Sequence, residues 1–301
     1  MTLKRFFPTF LIVFLISVPA LPQNLEDYIT KYNADNGKGY LQPVADAFGA
    51  SFNSGLFHSA QLKKLGFQAY LGVVTTAAFI PSKSKTFTAT TDGEFAPVQS
   101  AEVPTVFGPV DPVTVDGNGG TAYVFPGGIN AKFIPFAMPQ LTIGSLYGTD
   151  VTLRYFAYSV NEDVGSVNMF SWGLRHSISQ YFPVLPLDIA VGFYSQKFNV
   201  GDYFKANAWI ADVQASKRIL LFTFYGGLGY ENSKTTIHYT NEDENTEINY
   251  DLTGSNNIRF TAGVTFNLGP VKLNVDYNLA SQSILCVGLG VGIGEKGKAV
   301  K

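Results

Sequence analysis

The sequence predicts an all-β fold: a transmembrane antiparallel β-barrel of about twelve strands (range about 10–14) behind a partly helical N-terminal plug segment. Three observations predict it. The chain closes in strict two-residue alternation, its opening residues read as an export signal, and no later apolar run is long enough for a membrane-spanning helix. A soluble half-buried sheet shares that period. The export signal and the number of alternating segments favour the membrane form over an exported β-sandwich binding module.

In chain order, Lys4 and Arg5 precede the almost wholly apolar stretch Phe6 to Ala20, and Val18-Pro19-Ala20 supplies small residues for cleavage. This pattern is a secretory signal peptide, residues 1–20, with cleavage between 20 and 23. At about 15 residues, with Pro8 inside it, the apolar stretch falls short of the roughly 20 needed to span a bilayer. Residues 24–60 do not alternate. Asn24 with Glu26 and Asp27 reads as a capped helix start, and Leu41 to Phe48 reads as a second short helix ending before Gly49. This stretch is assigned as a plug or periplasmic segment.

The barrel is expected over 61–294. Phe67, Ala69, Leu71 and Val73 mark its first strand, and eight prolines between Pro81 and Pro139 mark a long external loop or inserted subdomain. Asp116-Gly117-Asn118-Gly119-Gly120 and Phe125-Pro126-Gly127-Gly128 are turn clusters within it, with one short strand expected near Thr121 to Phe125. From Pro139 onward the chain is nearly continuous strand. The expected segments are 139–147, 149–160, 167–178, 186–199, 204–217, 219–239, 246–253, 257–268, 270–281 and 283–293, with others near 64–80 and 121–134. In the last three, Ile258 to Leu268, Val271 to Leu279 and Leu285 to Ile293 place apolar residues at every second position. Residues 295–301 form a polar tail without a terminal aromatic.

Aromatic residues make up 14% of the chain, with 25 Phe and 16 Tyr, many beside turns, as expected of interfacial girdles. The formal charge of −2 moves to about −4 once the signal is removed, which gives no attraction to nucleic acid. The single Cys286 permits no internal disulfide and is expected as a small inward side chain.

Catalysis and metal binding find little support. His58-Ser59 and His176-Ser177 are neighbours whose side chains point to opposite faces of a strand, so neither pair makes a nucleophile and base, and His238 stands apart. His176 falls on the outward face with Phe170, Trp172 and Leu174. Glu242-Asp243-Glu244 with Glu247 reads as a solvated outer loop, and Asp111 with Asp116 lacks the alternation of a calcium loop. Asn36-Gly37-Lys38-Gly39 lacks the first glycine and the hydroxyl residue of a nucleotide loop. No enzyme, cofactor or metal is expected.

Three stretches carry a family resemblance: Leu41 to Ala50, Asn53-Ser54-Gly55-Leu56-Phe57-His58, and Pro139 to Val151. They resemble an uncharacterised outer-membrane β-barrel family whose layout, an N-terminal segment ahead of the strands, is similar to long-chain fatty acid transporters (FadL-like). The resemblance implies an outer-membrane location, with lipid and the barrel assembly machinery as partners. It supplies no ligand residues.

With apolar faces outward, Arg154, Arg175, Lys205, Arg259 and Lys272 are expected to point into the lumen against Asp188 and Asp276, an excess that favours an anion. These five are the lumen candidates for ligand binding. The expected function is a channel or binding site for a small anionic solute, amphipathic or hydrophobic ones included. The alternative is a structural or secretion-accessory barrel without transport.

Overall fold

The computed structural model describes residues 34–91, 95–161, 165–182, 184–241 and 246–294. The predicted signal peptide, the helix start at Asn24, the Glu242 to Glu244 cluster and the 295–301 tail lie outside these residues.

A single helix, α1 (Ala34–Phe52), opens the described chain. It is longer than the sequence suggests, running through both Pro43 and Gly49. Helix propensity does not explain this, because Pro and Gly weaken a helix interior. Tertiary fit does. A Cβ on Gly37 would fall 2.3 Å from the Tyr250 hydroxyl and one on Gly49 would fall 2.0 Å from Ser233 Oγ, so the helix lies closer to its surroundings than any larger side chain permits.

Next come β1 (Leu65–Phe79), two small hairpins made of β2 (Thr86–Thr90) with β3 (Ser100–Pro104) and β4 (Val113–Asp116) with β5 (Ala122–Phe125), and then β6 (Phe133–Leu146). The chain continues through β7 (Thr149–Asn161), β8 (Gly165–Ser177), β9 (Asp188–Val200), β10 (Phe204–Ile219), β11 (Phe222–Asn241), β12 (Thr246–Thr253), β13 (Ile258–Leu268), β14 (Val271–Leu279) and β15 (Ile284–Ile293). Each wall strand pairs antiparallel with its neighbour in the order β1, β6 to β11, β13, β14, β15, and β15 returns to β1. The result is a closed ten-stranded barrel, not a sandwich.

Ten strands replace the expected twelve for two reasons. The segment expected at 121–134 divides into β5, which belongs to a hairpin outside the wall, and the start of β6. The segment at 246–253 is β12, which pairs with β11 above the point where β13 takes over, so β12 and β13 are two halves of one interrupted partner strand.

Side-chain parity follows the predicted alternation. On β11, Phe222, Phe224, Leu228 and Tyr230 are exposed outward, and beyond them the same face changes to Asn232, Lys234 and Thr236. Phe222 to Tyr230 covers roughly 25–30 Å of strand, which barrel tilt reduces to roughly 20 Å across the membrane, near the height of an apolar belt. The upper half of β11, with β12, stands above that belt. Inward positions are buried and largely polar. β15 is the exception, presenting Gly288, Gly290 and Gly292 to the interior. Neighbouring side chains lie across this bare surface: a Cβ on Gly290 would fall 2.6 Å from the Tyr70 ring and one on Gly292 would fall 2.3 Å from the Lys272 chain.

One end of the barrel carries the two-residue turns Tyr147-Gly148, Leu220-Leu221 and Gly269-Pro270 and the ten-residue β8–β9 link 178–187, together with the start of β1 and the end of β15. The other end carries the 80–132 insertion. That insertion folds as a cap. Val103, Val106, Phe107 and Phe125 are buried in one cluster with Tyr40, Leu41 and Ala45 of α1.

The insertion ends earlier than the proline count suggests, because Pro135 and Pro139 lie inside β6. Proline survives where a strand has a free side. β6 pairs with β1 throughout, but its ladder to β7 runs only from Leu141/Leu153 to Leu146/Thr149. Residues 133–140 of β6 and 154–161 of β7 therefore face each other without rungs, leaving an unzipped seam in the loop-side half of the wall.

Candidate functional site

The lumen is filled by the chain's own N-terminal segment. Asn36 and Tyr40 are tied to the cap: Asn36 Nδ2 donates to the Thr90 carbonyl at 2.7 Å, and the Tyr40 hydroxyl donates to the Gly127 carbonyl at 2.9 Å. From Phe52 the chain descends as an irregular segment without secondary structure. At the short-turn rim the Ser145 hydroxyl donates to the Lys63 carbonyl, and the Gly148 amide donates to the Lys64 carbonyl.

A helix ends with unsatisfied carbonyls and a partial negative charge, and α1 has no basic residue in its last turn. The barrel wall supplies the cations. Arg154 on β7, fully buried, donates to the carbonyls of Phe52 (3.1 Å), Ser54 (2.9 Å) and Gly55 (2.8 Å), and its Nε donates to Gln140 Oε1 at 2.9 Å. Arg259, on the opposite wall in β13, donates to the carbonyls of Ala50 (2.9 Å) and Asn53 (3.1 Å) and to the Ser54 hydroxyl. Lower down, Arg175 on β8 donates to the Ser59 carbonyl at 2.7 Å. Thr265 reaches the His58 carbonyl, and Ser216 accepts from the Ala60 amide.

Four of the five predicted lumen residues are therefore interior. Arg154, Arg175 and Arg259 grip the plug, and Lys272 is buried with its Nζ 3.3 Å from Asn267 Oδ1. Lys205 is not among them. It sits at the loop-end rim on the outward parity of β10, half-exposed and 3.4 Å from Asp202. Small residues on both faces of β10 obscure its parity in the sequence.

The predicted positive excess is also absent. Arg175 forms a two-point pair with Asp150, and Arg259 forms one with Glu231, while Asp212 and Asp276 are buried on the wall as well. Among the described residues, the buried wall cations are matched by as many carboxylates. Parity was the missed signal: Asp150 shares the even register of Arg154, two rungs below it. Arg154 differs from Arg175 and Arg259 in having no carboxylate within salt-bridge distance among the described residues; its hydrogen bonds go to neutral acceptors.

Above Arg154, behind the unzipped seam, lies an apolar chamber packed solid. Phe52, Met138, Met169 and Phe198 are buried there, with Phe48, Phe136, Phe156 and Phe204 against them. Phe48 meets Phe136 edge to face with centroids 4.6 Å apart, and Phe52 meets Phe198 at 5.0 Å. Met138 Sδ stands 3.6 Å from Arg154 Nη1, so the aromatic cluster ends on the guanidinium. The aromatic side chains fill this apolar slot, and one cation closes it.

The three histidines stay apart. The His58 ring lies 4.4 Å from Tyr70 inside the barrel. His176 bonds Thr149 and Tyr181 at the short-turn rim, on the predicted outward parity, and His238 bonds Asn249 above the belt. Cys286 is buried and inward, accepting from Asn278. Among the described residues no group of three or more His, Cys, Asp or Glu is placed to hold a metal ion.

A family model described as a family of unknown function (DUF6588) matches residues 3–293. The chain belongs to the DUF6588 family. No curated protein matches this DUF6588 member. Solved structures similar to it include OmpT, an outer membrane protein of Vibrio cholerae, at 9% identity and TM-score 0.27, covering 76% of this chain and 100% of that one. The translocator domain of the autotransporter NalP from Neisseria meningitidis gives 10% identity and TM-score 0.29, covering 80% and 91%. A Pseudomonas aeruginosa FadL homologue gives 8% and 0.26, covering 82% and 96%. Likenesses this distant carry no functional argument. The reading of this DUF6588 chain rests on its own closed wall, outward belt and filled lumen.

Proposed function

We propose that this chain is an outer-membrane β-barrel that binds a small amphipathic anion, admitting its apolar part through the seam between β6 and β7 and holding its charged end at Arg154. The carrying observation is the unzipped seam lying directly over an aromatic cluster that ends on a buried guanidinium. A wall without rungs needs no strand to separate before a molecule dissolved in the bilayer reaches the interior. In the plugged state Phe48 and Phe52 of α1 occupy the slot, so the ligand competes with the plug and passage to the other side requires the plug to move. The partners of this reading are outer-membrane lipid and the solute; assembly machinery would insert the barrel.

The test is a titration of the detergent-purified protein with a fluorescent medium-chain carboxylate. Saturable binding should weaken at least about tenfold, about 1.4 kcal/mol, in Phe136→Ala and in Arg154→Gln. A neutral alcohol of the same chain length should bind the native protein more weakly and be indifferent to Arg154→Gln. Failure of the native protein to bind either probe defeats the reading.

One observation favours a second reading, a structural or secretion-accessory barrel without transport. The charge balance of the lumen and the many bonds to residues 50–60 suit a permanent seal. That reading expects no probe binding and a stable protein partner in a pull-down.

A further inference from the structure

We propose that the barrel threads its own chain from the outside inward, so that α1 begins on the external face of the membrane. This inference rests on the membrane-barrel reading and goes beyond it by fixing where the two ends of the plug lie. The described chain crosses the lumen once, in one direction. Its start is held at the loop end, where Asn36 and Thr90 exchange hydrogen bonds and the Val106 amide donates to the Tyr40 carbonyl. Its finish is held at the short-turn end, where the Lys63 amide donates to Gln68 Oε1 and β1 begins. Ala69 of β1 pairs with Ile293, so the end of the last strand lies at that same rim.

Barrels inserted from the periplasm keep their short turns on the periplasmic side and their long loops outside. Lys64 and Ile293 are then periplasmic, and Ala34 is external. One consequence follows from the geometry. A signal peptide still embedded in the inner membrane is incompatible with an α1 that starts outside, so the proposal requires the cleavage predicted between residues 20 and 23.

The buried Cys286, the chain's single cysteine, makes the test simple. Lys38 on the first turns of α1 and Lys64 at the opposite rim are both exposed. Lys38→Cys and Lys64→Cys are each expressed in full-length protein and treated with a membrane-impermeant maleimide, on intact cells and after permeabilisation of the outer membrane. Lys38→Cys should label fully on intact cells, and Lys64→Cys should label at least about tenfold more after permeabilisation, while the native chain stays unlabelled. The mass of the purified protein should start between Leu21 and Asn24. The reverse labelling pattern overturns the proposal and leaves the barrel standing, as does protection of both positions in protein that fractionates with the outer membrane. Recovery of both variants in the soluble fraction overturns the membrane reading itself.

Discussion

Arg259 and Glu231 are each 1% exposed at the side chain and bond each other at two points, while the same guanidinium holds the end of α1. Removing one partner of a buried pair leaves the other charge without compensation, at a cost of about 3–5 kcal/mol, whereas replacing both with apolar residues is much milder. Arg259→Met should therefore lower the midpoint of heat-induced gel retardation more than Arg259→Met/Glu231→Leu does. The double variant should still fall short of the native chain, because the carbonyls of Ala50 and Asn53 lose their donor. Arg154→Gln tests a different balance, since it leaves no carboxylate stranded. Its loss falls on neutral acceptors, the carbonyls of Phe52, Ser54 and Gly55 and the Gln140 side chain, each worth about 1–3 kcal/mol if left unpaired. The presence of these cations inside the barrel was legible from strand parity; their partners were not. The arginines bond plug carbonyls, because a helix end concentrates acceptors that no side-chain inventory shows.

Helix α1 is the element in which sequence and structure diverge most. Pro43, Gly37, Gly39 and Gly49 argue locally for short, broken pieces, and Gly49 reads naturally as a stop. The barrel overrides this by offering grooves that only a glycine-bearing helix fits. Gly49→Val should collide with Ser233, raising protease sensitivity across residues 50–60 while strand content by circular dichroism stays within a few per cent; an unchanged digestion pattern would refute the fit. The strands behaved in the opposite way. Most wall boundaries fell within a few residues of the alternation, because lipid outside and a polar interior impose parity on every rung. β6 was the exception: its prolines were read as loop, yet the side that lacks donors is the side that lacks a neighbour. Replacing both Pro135 and Pro139 with Thr supplies those donors. It should extend the ladder toward β7 and reduce binding of the carboxylate probe in the same titration.

At the scale of the whole molecule, cap, plug and wall form one body with a shared apolar cluster at the loop mouth. The insertion at 80–132, unexplained by composition alone, has a structural role in holding the first turns of α1. Deletion of residues 34–60 should convert a sealed barrel into a conducting one in planar bilayers, with at least about tenfold higher single-channel conductance than the native protein. If the deleted form is retained in the membrane, runs as a heat-modifiable band and still conducts no better, the lumen is not a route. Closure and a helical segment ahead of the strands were readable from the period and from the non-alternating stretch before it. The seam was not, because an absent ladder leaves no periodic signature.

The glycine face of β15 bears on the order of events during folding. β15 is the last strand to be made and closes the ring against β1, the first. A closing strand with bulky inward side chains would have to push past a lumen already occupied by α1 and its trailing segment. From Gly288 to Gly292 β15 brings no side chain across that boundary; Tyr70 and Lys272 lie where side chains would be. The wall can thus shut like a smooth zip over finished contents. Gly290→Leu should slow the appearance of the heat-resistant band by about tenfold or more in refolding from urea, and the same change in protein lacking residues 34–60 should slow it less.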